Sequence, residues 1–246
     1  MNLIDPTGMY IVDENQKEWN KRKHSIENKR DRLQNKVDKL TTKAQEKGWS
    51  EDKLAKKIGN KNERIASLNT TLSKMGNLEQ SPQGYALLHT ATGEKGGVSL
   101  NTKTNVINIK YNNGTASFVH EVTHAEQFET GDIAFDSNTG NVIAIDVYDE
   151  VTAYQAQFAY SPYSVSNISS TSCADSFNTI TPQWVQGIEN GTIYTPGGHS
   201  NTGLSRINVN STREDLIKAY PNYSMNLLPA GYILKTSYRN IYYRNR

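Results

Sequence analysis

The chain is poor in cysteine and has no long apolar run. Its single cysteine, Cys173, cannot form an internal disulfide, so we expect stability to come from packing, with a metal as a further contributor; Cys173 itself is interpreted as a small core residue. No stretch approaches the roughly 18–20 consecutive apolar residues that span a bilayer, which predicts no transmembrane segment. The first residues also lack the basic and apolar regions of a signal peptide, so we expect any export to use another route.

The composition indicates a largely solvated chain with unevenly distributed charge. Hydrophobic residues make up 35% of the 246 residues, and the mean hydropathy is −0.70, so much of the chain must be polar loop or solvated helix around one core. The net charge of +2 points by itself to no nucleic-acid partner. However, 17 of the 27 Lys and Arg but only 10 of the 25 Asp and Glu lie between Glu14 and Gln80, which gives +7 there and −5 elsewhere.

Residues 14–80 have the pattern of a basic two-helix hairpin. Apolar residues recur at helical spacing on both sides of Gly48, which is expected to end the first helix. Ser50 fits the N-cap of the second helix, and Gly76 is expected to end it. The two apolar seams are Trp19, Ile26, Leu33, Val37, Leu40 and Ala44, and then Leu54, Ile58, Ile65, Leu68, Leu72 and Met75. The many lysines are most simply explained as solvated faces; an anionic partner is the alternative, although aromatic residues for base stacking are lacking.

After residue 80 the pattern changes to short alternating stretches and shorter helices, which predicts an α+β fold. Residues 85–90, 97–100 and 106–111 are predicted to form a small antiparallel sheet. A helix then runs from a cap at Thr115 or Ser117 to about Phe128, where Gly131 ends it. Residues 132–136 and 141–147 are predicted to form a hairpin, which leads to a third helix over residues 149–160.

The last third of the chain is less regular. Thr181 followed by Pro182 fits a helix start, and Ser211 to Glu214 fits a capping box. The tyrosine-rich tail is compatible with a last strand or with a place in the substrate cleft.

The chemistry is concentrated in the segment His120-Glu121-Val122-Thr123-His124. On a helix, His120 and His124 project from one face one turn apart, a separation at which two imidazoles can bind one zinc ion. Glu121 lies beside them and can act as general base toward a water that the zinc holds. Because the chain has only five histidines, chance would rarely give this arrangement. The segment therefore predicts a zinc site on a helix.

A hydrolytic zinc site needs a third protein ligand and one open coordination position. A metzincin would have glycine and histidine where this chain has Gln127 and Thr130, which excludes that class. Glu150 is the best candidate for the third ligand. Asp146 and Asp149 are the alternatives, and Asp149 is more simply explained as an N-cap.

The helix that carries Glu150 also presents Ala153, Tyr154 and Gln157 on the same face. Ala153 is small enough to let this helix approach the first one closely. Tyr154 and His199 are candidates for the donor that stabilises the oxyanion, with packing and simple exposure as the respective alternatives. His24 and His89 are assigned to the hairpin surface and to a strand face.

These residues resemble a known family. The pattern His-Glu-x-x-His-Ala-x-Gln, followed by a short hairpin and by Asp-Glu-x-x-Ala-Tyr-x-x-Gln, resembles the gluzincin-type metallopeptidase toxin domains at the C-termini of bacterial polymorphic toxins. The resemblance covers residues 100–160 well and the flanks poorly. It implies a zincin-like fold in which His120, His124 and Glu150 bind Zn²⁺ and Glu121 is the base, so that a protein or peptide substrate is hydrolysed.

A second resemblance lies at the start of the chain. Residues 2–10, Asn-Leu-Ile-Asp-Pro-Thr-Gly-Met-Tyr, resemble the Asp-Pro-x-Gly boundary that closes the core of Rhs and YD-repeat proteins, just before their variable toxin. This implies an effector that is made in the cytoplasm and delivered by a secretion system into a competitor cell, with the parent Rhs shell and a cognate immunity protein as partners. We therefore predict an Rhs-core-like boundary over residues 1–13, the basic hairpin over 14–80 and a zincin-like catalytic domain over 81–246.

Two other functions are compatible with these patterns. A zincin fold could bind without turnover, acting through the basic hairpin on a protein or a membrane surface. The substrate could also be a peptidoglycan cross-link. The presence of Glu121 argues against binding without turnover, because metal binding alone needs only the ligands.

Overall fold

The computed structural model describes residues 11–91, 94–135, 139–143, 145–191, 210–219 and 230–231, and these have the predicted α+β architecture. The helices are α1 (Gln16–Glu46), α2 (Glu51–Gln80), α3 (Thr115–Thr130), α4 (Val147–Tyr160), α5 (Pro182–Gln186) and α6 (Arg213–Ala219). The strands are β1 (Gly84–His89), β2 (Gly97–Asn101), β3 (Val106–Tyr111), β4 (Ala134–Phe135) and β5 (Val142–Ile143). None of the described helices has both the length and the apolar character needed to cross a bilayer. His199, residues 2–10 and most of the tyrosine-rich tail lie outside the described residues.

Helices α1 and α2 form the predicted hairpin. Gly48 turns the chain with φ +57°, a conformation that favours glycine, and Ser50 caps α2 by accepting a hydrogen bond from the backbone N of Lys53. The prediction that Gly76 ends α2 is wrong, because the helix continues to Gln80. Leu78, beyond the glycine, is fully buried, so packing of this last turn outweighs the weak helix propensity of one glycine.

The half of the hairpin nearest the sheet belongs to the main hydrophobic core. Trp19, Ile26, Met75 and Leu78 lie in one buried cluster with residues of the sheet and of α3. The rings of Trp19 and Phe118 meet edge to face, with centroids 5.5 Å apart. Residues 34–61, which we call the arm, lie outside this cluster. The hairpin is therefore partly core and partly a projecting arm.

Polar contacts attach the hairpin to both helices that carry the site. The buried Arg22 donates to Thr115 Oγ1 at the start of α3 (3.1 Å). Arg64 donates to the backbone O of Ala159 (3.0 Å) at the end of α4, where the last carbonyls of a helix lack partners within it. The hairpin thus fixes the beginning of α3 and the end of α4.

The sheet has the order β1-β3-β2 and is mixed rather than antiparallel. Strand β3 pairs in parallel with β1 and antiparallel with β2, so the predicted antiparallel sheet is wrong for one of its two pairings. The alternation of apolar and polar residues does not predict strand direction, because parallel and antiparallel pairing bury the same residues. Strands β1 and β2 lie on either side of β3, about 10 Å apart, a distance that the seven residues between them in the sequence can span.

Several local predictions are shifted or wrong. Helix α3 begins after Gly114, without a side-chain cap, because the Ser117 hydroxyl instead accepts a hydrogen bond from the backbone N of Asn112. The box at α6 pairs Thr212 with Asp215, one residue later than predicted. Cys173 is exposed; its neighbour Ala174 takes the buried position. The β4–β5 hairpin and the start of α5, capped by Thr181, are confirmed.

Candidate metal centre

Two histidines of α3 and one glutamate of α4 converge in the interior. The Nε2 atoms of His120 and His124 are 3.2 Å apart, and the Glu150 carboxylate lies 3.4 Å from the first and 3.6 Å from the second. All three residues are buried, and their ligand atoms lie within 4.8 Å of one another. This group could hold a metal ion.

Asp146 and Asp149, the alternative candidates for the third ligand, instead cap the start of α4. Asp146 caps α4 by accepting hydrogen bonds from the backbone N of Tyr148 and Asp149, and the Asp149 carboxylate accepts one from the backbone N of Asp146. The N-cap is therefore Asp146, and the prediction that Asp149 holds that position is wrong by three residues. Because this capping box orients both carboxylates toward the helix start, Glu150 is the acid that faces the histidines. Ala153 on the same helix is fully buried.

Gln127 links the two helices at the site. Its Oε1 lies 2.7 Å from His124 Nδ1, and its Nε2 donates to the backbone O of Asp149 at 3.1 Å. A carbonyl oxygen can only accept, so His124 Nδ1 carries the proton and Nε2 faces Glu150. Gln127 therefore orients the imidazole for binding through Nε2.

Burial and charge shift the pKa values of these groups in opposite directions. Burial raises the pKa of Glu121 above its usual range, against the effect of the two histidines. Burial alone would lower the pKa of His124, but the Glu150 carboxylate raises it to about 9. Burial would raise the pKa of Glu150, but His124 and His120 hold it well below the ordinary value. Without a metal, His124 and Glu150 therefore form a charged pair at neutral pH.

Metal binding should release a proton. His124 must lose the proton on Nε2 to bind a metal, and with a pKa of about 9 it is protonated at pH 7. We expect release of about one proton per metal, and an apparent affinity that rises roughly tenfold per pH unit up to that pKa. Calorimetry in buffers of different ionisation enthalpy measures the release. Release should vanish about one unit above the pKa; no release near pH 7 would contradict this assignment.

Glu121 lies on the cavity side of α3, against the loop that precedes β2. It is buried, and its Oε2 makes no hydrogen bond within the described part of the chain. A Cβ added to Gly96 would collide with Glu121 Oε1 and would lie 2.9 Å from the backbone O of Lys110. Glycine at position 96 therefore leaves the room that the carboxylate occupies.

The substitution Gly96→Ala should displace this carboxylate while the metal stays bound. A misplacement of about 1 Å can lower turnover about 100-fold, so we expect a loss of that order with unchanged metal content. Gly76→Ala is the matched control, because a Cβ there meets nothing within 4 Å. It should leave turnover unchanged and stabilise α2 by about 1 kcal/mol. Equal turnover of the two variants, measured with elemental analysis, would refute the role of Gly96.

The three residues of the metal group and Glu121 line a cavity of about 1050 Å³. Tyr154 also lines it, with its ring edge-on to His120 at a centroid distance of 4.4 Å. The structure thus brings this candidate for oxyanion stabilisation next to the metal group, and its role stays a prediction. Lys95 and Glu189 both line the cavity and form an ion pair, with Lys95 Nζ 2.5 Å from Glu189 Oε1.

Sequence patterns did not reveal the roles of Gln127 and Gly96. A weak signal existed for Gln127, which lies one helical turn after His124, and another in the adjacent glycines 96 and 97 before a predicted strand.

In comparisons with known proteins, no family model, curated protein or solved structure matches this chain.

Proposed function

We propose that the chain is a zinc-dependent metallopeptidase with a zincin-like active site of the gluzincin type. One observation carries this proposal: next to the three residues that can hold a metal lies a second buried acid, Glu121, with a carboxylate oxygen that has no hydrogen-bond partner among the described residues. Burying an unpaired carboxylate is costly. A binding site for metal alone has no use for it, whereas hydrolysis needs a base at this position.

The donors fit zinc. Two imidazole nitrogens and one carboxylate oxygen match the three-ligand sets of catalytic zinc sites, whereas Mg²⁺ and Ca²⁺ prefer oxygen alone. Among the described residues, the buried Glu150 Oε2 has no hydrogen-bond partner, as expected of an atom whose partner is a cation. The same donor set also suits ferrous iron, so the test below measures both metals.

Zinc, when bound, supplies a Lewis acid that activates water and polarises a carbonyl group. His120, His124 and Glu150 would hold it, and Gln127 keeps His124 in the tautomer that such binding requires. Glu121 takes a proton from the attacking water and passes it to the leaving amine. Burial raises the pKa of Glu121, which favours its uptake of a proton from water. Tyr154 is the proposed donor to the oxyanion.

A peptide substrate is supported by the edge strand beside the site. The Leu100 backbone N donates to Gly140 O (2.8 Å), so it points away from β3. Val98, two residues earlier, has the same backbone orientation, and it lines the cavity together with Gly96. An extended peptide could add to this edge by backbone hydrogen bonds, as in other strand-addition complexes. Its backbone would then lie next to Glu121.

The resemblance of residues 2–10 to an Rhs boundary supports the further proposal of a toxin. In this proposal the chain is released from the parent Rhs shell, is delivered by a secretion system into a competitor cell and is neutralised in the producer by a cognate immunity protein. Expression in a bacterial cytoplasm tests it. Arrested growth that depends on Glu121 supports a toxic peptidase, and normal growth contradicts it.

The peptidase proposal is tested by metal content and cleavage of the purified chain. We expect about one zinc per chain by elemental analysis, with little iron. Mass spectrometry of a peptide library should show cleavage that stops after chelation and returns with zinc. Intact cleavage after complete metal removal would refute the proposal. Cleavage of purified peptidoglycan cross-links without any cleavage of the library would replace the protein substrate with the cell wall.

A further inference from the structure

Seven of the 17 lysines and arginines of the hairpin form two rows. On α1, residues three, four and seven apart carry Lys29, Arg32, Lys36 and Lys43. On α2, the corresponding row is Lys53, Lys57 and Arg64. At about 100° per residue, each row occupies an arc of no more than about 60° around its helix. The acids of the same stretch lie outside these arcs: Asp31, Asp38, Glu46, Glu51, Asp52 and Glu63.

Both rows lie on the same side of the hairpin. Each row follows the same rotational flank of its helix's apolar seam, and in antiparallel helices these flanks face the same side. The electrostatics agree: the pKa of Lys29 is lowered first by burial and then by the nearby cations Arg64, Lys36 and Arg32. We call these seven residues the basic face.

The basic face is not neutralised by the protein. Within the described part of the chain, none of its seven cations makes an ion pair. Of the ten hairpin cations outside it, five are paired with acids in the described part of the chain: Lys21, Arg22, Lys23, Arg30 and Lys74. Arg32, Lys36, Lys43, Lys53 and Lys57 are also exposed. Such a one-sided, unpaired positive surface attracts an anionic partner.

The shape and composition of the basic face favour a lipid surface over nucleic acid. Two rows on helices about 8–10 Å apart form a flat strip, which matches a flat layer of headgroups better than a convex duplex. Five of the seven cations of the basic face are lysines, whereas arginine is the residue that binds single phosphates through two hydrogen bonds. Within the described residues, aromatic rings contact the basic face only at Lys53 (Trp49) and Lys29 (Tyr160), which is not the row of rings on which successive bases stack.

Trp49, at the turn of the hairpin, is placed next to the strip. Its ring lies 4.7 Å from Lys53 Nζ. The other two tryptophans, Trp19 and Trp184, are buried, so Trp49 is the one that can meet a partner. Tryptophan beside lysine is typical of the headgroup region of bilayers. We propose that the basic face docks on the anionic surface of a lipid bilayer, with Trp49 at headgroup level; this does not depend on the proposed peptidase activity.

The test uses the full chain and vesicles of defined composition. The probes are pure phosphatidylcholine vesicles and vesicles with about one third phosphatidylglycerol. We expect sedimentation with the anionic vesicles only, loss of binding as salt rises, and a blue shift of tryptophan emission. Binding that leaves the emission unchanged would place the contact elsewhere and overturn the proposal. So would stronger binding to duplex DNA or polyglutamate at the same ionic strength.

A pair of charge-matched variants locates the surface. The face variant replaces Arg32, Lys36, Lys43 and Lys57 by glutamine and leaves Lys53, which contacts Trp49. The control replaces four exposed lysines outside the basic face: Lys17, Lys56, Lys103 and Lys218. Since each cation near an anionic surface contributes about fivefold to partitioning, the face variant should lose at least about 100-fold and the control less than about tenfold. Equal losses would show that net charge alone is responsible and would overturn the proposal.

Discussion

Replacing Glu121 with glutamine should abolish turnover while the metal remains bound. The amide has nearly the shape of the carboxylate but cannot accept a proton, and general base catalysis contributes about 10²–10⁴-fold. Because burial raises the pKa of Glu121, ionising this group costs free energy in the folded state. Glutamine removes that cost, so thermal stability above the ordinary glutamate pKa should rise or stay equal. Turnover, metal content and thermal unfolding measure the three effects.

Glu126→Gln is the matched control for this variant. Glu126 lies on the same helix and is also buried, but it pairs with Lys74 at 3.1 Å and does not line the cavity. Its substitution should lower stability and leave turnover intact. If Glu121→Gln retains turnover within about tenfold of the wild type, Glu121 is not the base.

Glu150→Gln should lose the metal. Substituting residues that merely orient a ligand costs about 10–100-fold in metal affinity, so loss of a charged ligand should cost at least about 100-fold. The pKa of His124 should also fall from its value of about 9, because Glu150 is the group that raises it. Competition with a chromophoric chelator measures the affinity, and titration by NMR measures the pKa.

Asp149→Asn separates Glu150 from its neighbour. Burial and the nearby Asp146 raise the pKa of Asp149 to about 8, so its side chain is mostly neutral at pH 7 and asparagine resembles it. We expect metal affinity within a few-fold of wild type. If Asp149→Asn loses the metal and Glu150→Gln keeps it, the assignment of the third ligand is wrong.

The metal group is the part of the molecule that local patterns predict best. The neighbourhood of His120 and His124 follows from one turn of helix, whatever the remaining fold. Placing Glu150 beside them needs only one tertiary assumption, that the next helix lies against α3. Gly96 was missed because its partner Glu121 comes from another element, and Gln127 because one of its two partners, the backbone O of Asp149, does. The contact of Gly96 with Glu121 depends on where β2 lies in the sheet, which alternation of residues does not encode.

The errors in the fold have the same origin. Parallel and antiparallel pairs bury identical alternating residues, so the direction of β1 against β3 had no local signal. Gly76 has the chemistry of a helix end, but the burial of Leu78 in the shared core keeps α2 helical. The two aspartates near the start of α4, Asp146 and Asp149, are equally good caps by composition. Only the geometry shows that Asp146 and Asp149 bond each other and that Glu150 faces inward.

The shared core of the hairpin also affects how the chain is made. A ribosome releases α1 and α2 before the strands and helices that cover Trp19, Ile26 and Met75. Synthesis of the stretch up to Tyr160 takes on the order of ten seconds at ordinary elongation rates, and during that time these side chains remain uncovered. Arg64 likewise lacks its hydrogen-bond acceptor, the backbone O of Ala159, until that residue has been synthesised. The nascent hairpin should therefore be a substrate for chaperones. The metal group cannot assemble until α4, which carries Glu150, has left the ribosome.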